Sequence, residues 1–416
     1  VFSSQMIIIA VVHALVVPLL VIFRKPLFAY IGLSPRYTIY LISLLSLMSL
    51  SITVEYTMQA FGHMKSLAFM KVLDKLVIIA ILLLQYVMTG GLTLYQVIHA
   101  YILSHVIQII YGFSSIGPSH CFPLVLDFKT LVRMLSYSWP LIFSLTTGYV
   151  IDWMDLFFIR YFLNVEDVGY YQCAYQGMLT LSNFLMTINV ILFPIMITLI
   201  MKKETIKIKF IFQRMLPAFI IGLTLIFVVI VIFSRTAFTL VFGHAFIQSS
   251  VVFNVLMICL GLQGIIVVCS PVLSALELTK KMAAINILFG VGNVVFDLIL
   301  IPIMGMYGAA VATSIGYTIG AVGFMAVAEK QLSLSLRHIL IMPLIFGGFV
   351  GLYNTVDNPV IRFMAFLCVF VFVIITIRKY DYFNEQDVDK LGNLNIPTHV
   401  HRCITQLSRI VRVLKT

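Results

Sequence analysis

The chain has 416 residues, of which 61% are hydrophobic and 10% charged, and its formal net charge is +11. Its mean hydropathy is +1.08. A soluble domain of this composition would have too few polar side chains to cover its surface, so the sequence predicts an all-α polytopic membrane protein. In a membrane protein, an excess of Lys and Arg indicates which loops face the cytoplasm. We therefore expect no nucleic-acid partner.

Apolar runs of bilayer length follow one another along the chain. Because about 20 residues cross a bilayer, these runs predict about twelve transmembrane helices. The predicted spans are residues 5–23, 38–60, 67–88, 94–113, 137–160, 168–200, 211–233, 249–275, 282–301, 307–328, 338–354 and 360–377.

Basic residues are distributed unevenly between the predicted loops. If both termini lie inside, most Lys and Arg fall in the inner loops and the C-terminal tail. The outer side then keeps only Arg24, Lys25, Arg36, Arg160, Arg235 and Arg362. The positive-inside rule therefore predicts a multi-pass protein of the cytoplasmic (plasma) membrane, with both ends of this chain in the cytoplasm.

The first part of the chain recurs 215 residues later. Residues 60–65 align with residues 275–280, and Gly90 aligns with Gly305. Parallel repeats with an even number of helices are typical of transporters. The repeat predicts two pseudo-repeated helical lobes, followed by two extra C-terminal spans.

These boundaries predict four parts of the chain. They are an N-lobe remnant of four spans at 1–116, a C-lobe of six spans at 130–331, two accessory spans at 338–377 and a basic cytoplasmic tail at 378–416. In the tail, apolar residues of 398–416 recur at helical spacing among Arg and Lys. That pattern predicts either an amphipathic helix on an anionic leaflet or a plain solvated tail.

The hairpin at 137–200 is the most informative stretch. Pro140 opens its first apolar segment, and its second segment is predicted to end at Pro194. Asp152 and Asp155 lie inside the first segment, three residues apart and hence on one helical face. A carboxylate within a membrane span is costly, so these side chains are expected to face a cavity or a partner.

The ordered residues of this hairpin resemble the seventh and eighth helices of polysaccharide flippases. These flippases belong to the multidrug/oligosaccharidyl-lipid/polysaccharide exporter superfamily. The matching residues here are Pro140, Asp155, Arg160, Phe162-Leu163, Glu166-Asp167, Val168-Gly169-Tyr170 and Ala174. Further matches are Phe242-Gly243, Asn293, Ile301-Pro302, Gly305, Tyr307, Gly308-Ala309-Ala310 and Ala312-Thr313, so the resemblance extends over residues 1–377.

The resemblance implies a transporter that flips a lipid-linked oligosaccharide or polysaccharide repeat unit by alternating access. Its partners would be membrane lipids and a lipid-diphosphate-linked glycan, and we expect a monomer. Family members have fourteen helices, and the twelve spans here match the third to the fourteenth. We therefore expect a hairpin upstream of Val1 in the intact family fold.

Charged residues within the spans are the candidate substrate-site residues. Glu55 and Lys71 are expected at similar depth on neighbouring helices, and Lys71, Asp74 and Lys75 share one face. They form either self-neutralising ion pairs or an inner cationic patch for a lipid diphosphate, in which Lys75 is least neutralised.

The outer carboxylates Asp152, Asp155 and Asp297 are candidates for a coupling proton or sodium ion, or for sugar hydroxyls. Asp155 and Asp152 have the alternative of pairing with Arg160 or with the missing hairpin. For Asp297, family members often carry a small or amide residue, so no role is transferred to it from the resemblance.

Two other functions remain open at this point. One is a drug/cation antiporter of the same superfamily, which the basic Lys71 and Lys75 disfavour. The other is a membrane-embedded glycan polymerase or glycosyltransferase, which needs a large outer loop or a metal-binding acidic motif. The predicted loops are short and no catalytic motif appears in the sequence. We therefore expect no enzyme, no resident cofactor and no metal site.

Overall fold

The computed structural model describes residues 2–117, 153–356 and 358–380, together with Phe128 and Val132. All regular secondary structure in these residues is helical. The chain packs as two compact units, Val1–Leu145 and Thr146–Thr416. Asp152 and nearly all of the predicted basic tail lie outside the described residues.

Unit 1 is built around three long helices. Helix α5 packs along both α3 and α4, which touch each other much less. Gly112 of α5 makes this packing possible, because a Cβ there would lie 2.1 Å from Cγ1 of Val54. The described helices of unit 1 are α1 (Phe2–Ile22), α2 (Arg24–Ile31), α3 (Thr38–Ala60), α4 (Met64–Thr89) and α5 (Leu94–Ile116).

Unit 2 has one central helix, α10, which packs against α7, α9, α12 and α13. Interhelical hydrogen bonds add to this packing: Gln263 of α10 donates to Ser182 of α7 at 2.8 Å. The described helices are α6 (residues 153–162), α7 (Val165–Met201), α8 (Thr205–Phe210), α9 (Leu216–Phe242), α10 (Ile247–Ala275), α11 (Thr279–Met304), α12 (Met306–Leu332), α13 (Ile341–Thr355) and α14 (Pro359–Tyr380). A single π-helical turn, Ile211–Met215, joins α8 to α9.

Nine stretches of the described residues are helical, long and apolar enough to cross a membrane. They confirm a polytopic helical membrane fold, while the count of twelve stays a prediction. The three remaining predicted spans differ for separate reasons. Helix α4 has the length but carries charged residues in its first three turns, and α13 has only 15 residues. The span at 137–160 lies largely outside the described residues.

The repeat predicted from the sequence is visible in the bounds of two helices and in the backbone angles of the residues beside them. Helices α4 and α11 begin and end at positions related by the same offset of 215 residues. Left-handed residues stand at matching places before them, Gly62 at φ 75° and Glu277 at φ 58°. Beyond their last turns, Gly90 at φ 70° matches Gly305 at φ 63°. The bounds of the two helices and the positions of positive φ therefore coincide, but the outer turns differ, since Gly90 has a ψ of 5° and Gly305 a ψ of −144°.

The segment end predicted at Pro194 is wrong, whereas the predicted span 168–200 agrees closely with the observed helix. Helix α7 continues without interruption to Met201. Proline removes only one backbone donor, and Met196 and Leu199 beyond it are buried in the core of unit 2. Burial of that last apolar stretch outweighs the loss of one hydrogen bond.

Gly308 holds the two helices of the α11–α12 hairpin in close contact. A Cβ at this position would lie 2.2 Å from the carbonyl oxygen of Leu300. We expect Gly308→Ala to lower the free energy of unfolding by about 1–3 kcal/mol, since overpacking forces the backbones apart. Thermal denaturation of the detergent-solubilised protein measures this. Gly222→Ala in α9 is the matched control, because nothing lies within 4 Å of a Cβ there. Equal stability of the two variants would contradict the prediction.

Candidate functional site

A group of buried polar side chains lies within unit 2, at one end of two helical hairpins. It comprises Asp155, Tyr171, Asn293, Asp297 and Thr313, which we call the carboxyl cluster. Four of these residues stand six or seven residues from their helix ends, at the α6–α7 turn or the α11–α12 turn. At a rise of about 1.5 Å per residue, the cluster lies about 10 Å below those turns.

Asp155 of α6 receives its hydrogen bonds from hydroxyl groups. Thr313 Oγ1 donates to Asp155 Oδ2 at 2.7 Å, and the Tyr171 hydroxyl donates to the same oxygen. Asn293 Nδ2 in turn lies 3.4 Å from Thr313 Oγ1. Side chains of α7, α11 and α12 thereby orient the carboxyl group of Asp155. Only 3% of the residue is exposed.

The carboxyl group of Asp297 lies near that of Asp155, so the charge of each acts on the other. Asp297 is fully buried. Two adjacent carboxylates repel each other strongly in a buried site, so they are not both ionised unless a cation lies between them. The pair therefore requires a proton or a bound cation.

Several oxygens of the carboxyl cluster point at no hydrogen-bond donor within the described residues. They are Asp155 Oδ1, Asn293 Oδ1 and both carboxylate oxygens of Asp297. Buried acceptors without a donor are costly, and oxygen ligands of this kind suit a small hard cation. Among the described residues, no three or more His, Cys, Asp and Glu side chains are placed so that they could hold a metal ion. The donor set thus favours a monovalent cation or a proton over a transition metal.

The structure brings together two residues that the sequence identified separately. Asp155 and Asp297 are each a candidate from the sequence because a charge in an apolar helix is costly. Both belong to this cluster. Tyr171 was missed, and Asn293 and Thr313 entered only through the family resemblance. A signal for the grouping was present, since four of the five residues lie at a similar distance from a predicted outer turn. Arg160 lies half-buried near the end of α6, and Asp152 lies outside the described residues.

The charged residues of unit 1 form a second group. Lys71 Nζ of α4 lies 2.6 Å from Glu55 Oε1 of α3, and Lys75 Nζ lies 2.8 Å from Asp74 Oδ2. The lysine side chains are 61% and 71% exposed, whereas that of Asp74 is only 13% exposed. The structure thus places each of the four predicted residues in an ion pair and leaves both lysines accessible.

Side chains of helix α5 contact Asp74, an acidic residue of this second group. Ser104 Oγ donates to Asp74 Oδ1 at 2.6 Å, and the Gln108 side chain lies near both Asp74 and His105. Ser51 of α3 contacts His105 Nδ1 at 3.2 Å. We call these eight residues the lysine cluster: Ser51, Glu55, Lys71, Asp74, Lys75, Ser104, His105 and Gln108.

Charged groups at this depth of a helical membrane protein face a cavity or one another. Together with the repeated helical hairpins, they define a transporter-like helical membrane protein with ionisable groups inside its spans.

Comparison with known proteins agrees with that class. A family model described as "Polysaccharide biosynthesis protein" matches residues 1–200. The "Probable low-salt glycan biosynthesis flippase Agl15" of Haloferax volcanii is 27% identical over 234 residues, which are 56% of this chain and 49% of that protein. This chain therefore spans about half the length of that relative.

A solved structure shares the fold. It is "Lipid II flippase MurJ, inward closed conformation", with a TM-score of 0.68 and 16% identity, covering 91% of this chain and 84% of that one. The family match, the relative and the shared fold confirm the resemblance seen in the sequence. The chain is thus similar to polysaccharide flippases of the multidrug/oligosaccharidyl-lipid/polysaccharide exporter superfamily, and it shares its fold with one solved flippase.

Proposed function

We propose that this protein flips a lipid-linked oligosaccharide or polysaccharide repeat unit across the cytoplasmic membrane by alternating access. The observation that carries the proposal is the presence of two separate ionisable clusters within the spans of one polysaccharide-family chain. One cluster exposes lysines, and the other buries a pair of carboxyls. This combination suits an anionic substrate whose movement is coupled to a cation.

The lysine cluster is the proposed site for the lipid diphosphate. Lys71 and Lys75 lie seven and eleven residues beyond the first residue of α4, so they stand about 11–17 Å into the membrane at a rise of about 1.5 Å per residue. With the termini inside, as the basic loops predict, this depth is reached from the cytoplasm. An ammonium group on a flexible stem binds phosphate as a point charge.

The carboxyl cluster is the proposed site of the coupling ion, a proton or a sodium ion. Asp155 and Asp297 supply the negative charge, while Thr313 and Asn293 supply neutral oxygens. Binding of one cation removes the repulsion between the two carboxylates. Because the cluster includes residues of α6, α7, α11 and α12, its occupancy favours one arrangement of these helices over another.

Vesicle transport tests the proposal against the drug/cation antiporter. The purified protein is reconstituted with a fluorescent farnesyl-diphosphate-linked N-acetylglucosamine in both leaflets, and external dithionite bleaches the probe that reaches the outside. We expect the protected pool to disappear faster than in protein-free vesicles.

A neutral farnesyl glucoside with the same label is the substrate control, and its exchange should not be accelerated. Faster transport of a lipophilic cation such as tetraphenylphosphonium, with no effect on the diphosphate probe, would overturn the proposal in favour of the antiporter.

A further inference from the structure

The lysine cluster is electrically balanced as it stands. Glu55 neutralises Lys71 and Asp74 neutralises Lys75, each through a short ion pair. A diphosphate head group arriving at this cluster would have to compete with two carboxylates for two ammonium groups. If the proposed function holds, some group in the cluster must supply a further positive charge or release a lysine.

Histidine is the side chain whose unperturbed charge change falls nearest neutral pH, and His105 is the histidine of the lysine cluster. It lies on α5 beside both α3 and α4. The charged groups at its depth on these two helices are Glu55 on α3 and Lys71, Asp74 and Lys75 on α4. Protonation of His105 therefore converts a neutral cluster into one that carries a net positive charge.

The hydrogen bonds indicate which nitrogen takes up that proton. The Ser51 hydroxyl donates its one proton to the Met48 carbonyl at 2.9 Å. Its oxygen is thus the acceptor for His105 Nδ1–H at 3.2 Å. Nδ1 then carries the proton of the neutral ring, and Nε2 takes up the second one.

The carboxylate that would attract a protonated His105 is that of Asp74, which lies nearby. Gln108 is 8% exposed and lies near both His105 and Asp74. Asp74 is the acceptor that holds Lys75. A positive imidazolium beside Asp74 competes with Lys75 for this carboxylate, and the exposed Lys75 side chain can swing away from it.

We propose that protonation of His105 prepares the lysine cluster for a diphosphate head group, by drawing Asp74 toward α5 and releasing the Lys75 ammonium. The inference rests on the proposed function, because it takes the diphosphate as the ligand. It makes the lysine cluster a second titrating site, separate from the carboxyl cluster of unit 2. Substrate binding and uptake of one proton at His105 then favour each other, as linkage requires.

Equilibrium binding tests this inference independently of transport. The probe is farnesyl-diphosphate-linked N-acetylglucosamine, whose bridged diphosphate stays ionised across the range, titrated onto detergent-solubilised protein at pH values from about 5.5 to about 8.0. We expect binding to be about tenfold tighter at the acidic end, because one added charge acts on the head group at close range.

His105→Gln should remove the pH dependence and hold the affinity at its alkaline value. His105→Arg, which keeps a permanent charge, should also remove the pH dependence but hold the affinity at the acidic value. His99→Gln, on the same helix but outside the lysine cluster, is the matched control and should bind as the wild type does.

Two results would overturn the inference. One is pH-independent binding by the wild type, and the other is unchanged pH dependence in both His105 variants. If the wild-type protein binds the probe with the expected pH dependence but fails to flip it in vesicles, the proposed function fails while the protonation site stands. If the protein flips the probe but binds it equally well at every pH, the protonation site fails while the proposed function stands.

Discussion

Asp155→Asn is expected to abolish ion-driven transport while leaving the protein folded. Asn keeps the size of the side chain and can still accept from Thr313 and Tyr171, but it removes one of the two charges that face each other in the carboxyl cluster. A hydrogen bond to a charged group contributes about 1.5–3 kcal/mol. Loss of one contact of that strength between the carboxylate and the bound ion corresponds to about a 10- to 150-fold reduction in the ion-driven rate.

Transport of the diphosphate probe in vesicles with an imposed proton or sodium gradient measures this effect. We expect the gradient to accelerate transport by the wild type and to have no effect on Asp155→Asn. The gradient that accelerates the wild type identifies the coupling ion. Asp297→Asn should behave in the same way, because its carboxyl lies near that of Asp155.

Asp152→Asn serves as the comparison, since Asp152 has no counterpart in the family pattern and the sequence predicts a smaller effect there. Size-exclusion chromatography of each variant establishes that the fold persists. Retention of gradient-driven transport by both Asp155→Asn and Asp297→Asn would show that the carboxyl cluster is a packing feature and not an ion site.

Much of the fold could be predicted because membrane spans are governed by few rules. Predicted span 38–60 coincides with α3, and the predicted offset of 215 residues relates the observed bounds of α4 to those of α11 to the residue. The failure at Pro194 has a physical reason, since apolar sequence on both sides of a proline continues to favour a helix in the membrane. Length and charge could not decide whether α4 and α13 cross the bilayer.

The candidate site was predictable only in part. A charge inside an apolar run is visible in any sequence, so Asp155 and Asp297 were found. Their contact was not, because it depends on how α6 and α11 pack. Tyr171 and Thr313 went unassigned because a hydroxyl group in a helix costs little and can bond to its own backbone. The sequence does not single out His105, because its neighbours Ser51 and Gln108 lie on a different helix or one turn away.

The double substitution of Lys71 and Lys75 by Gln is expected to abolish export of the glycan. Gln keeps most of each stem but removes both positive charges of the lysine cluster. Glu55 and Asp74 are then left without their ion-pair partners, and two negative charges face the incoming diphosphate. Repulsion replaces attraction at the site, so the loss should exceed that of a simple missing contact. We expect binding of the diphosphate probe to weaken at least about a hundredfold.

A quadruple variant separates loss of attraction from gain of repulsion. Adding Glu55→Gln and Asp74→Asn to the lysine substitutions restores neutrality and should recover part of the probe affinity, though not export. Lys330→Gln, at the last turn of α12 in unit 2, is the matched control for removal of an inner basic residue and should leave probe binding unchanged. If the double variant exports the glycan as the wild type does, with equal amounts of protein in the membrane, the lysine cluster takes no part in transport. The exposed side chains of Lys71 and Lys75 would then serve only to balance Glu55 and Asp74 within the span.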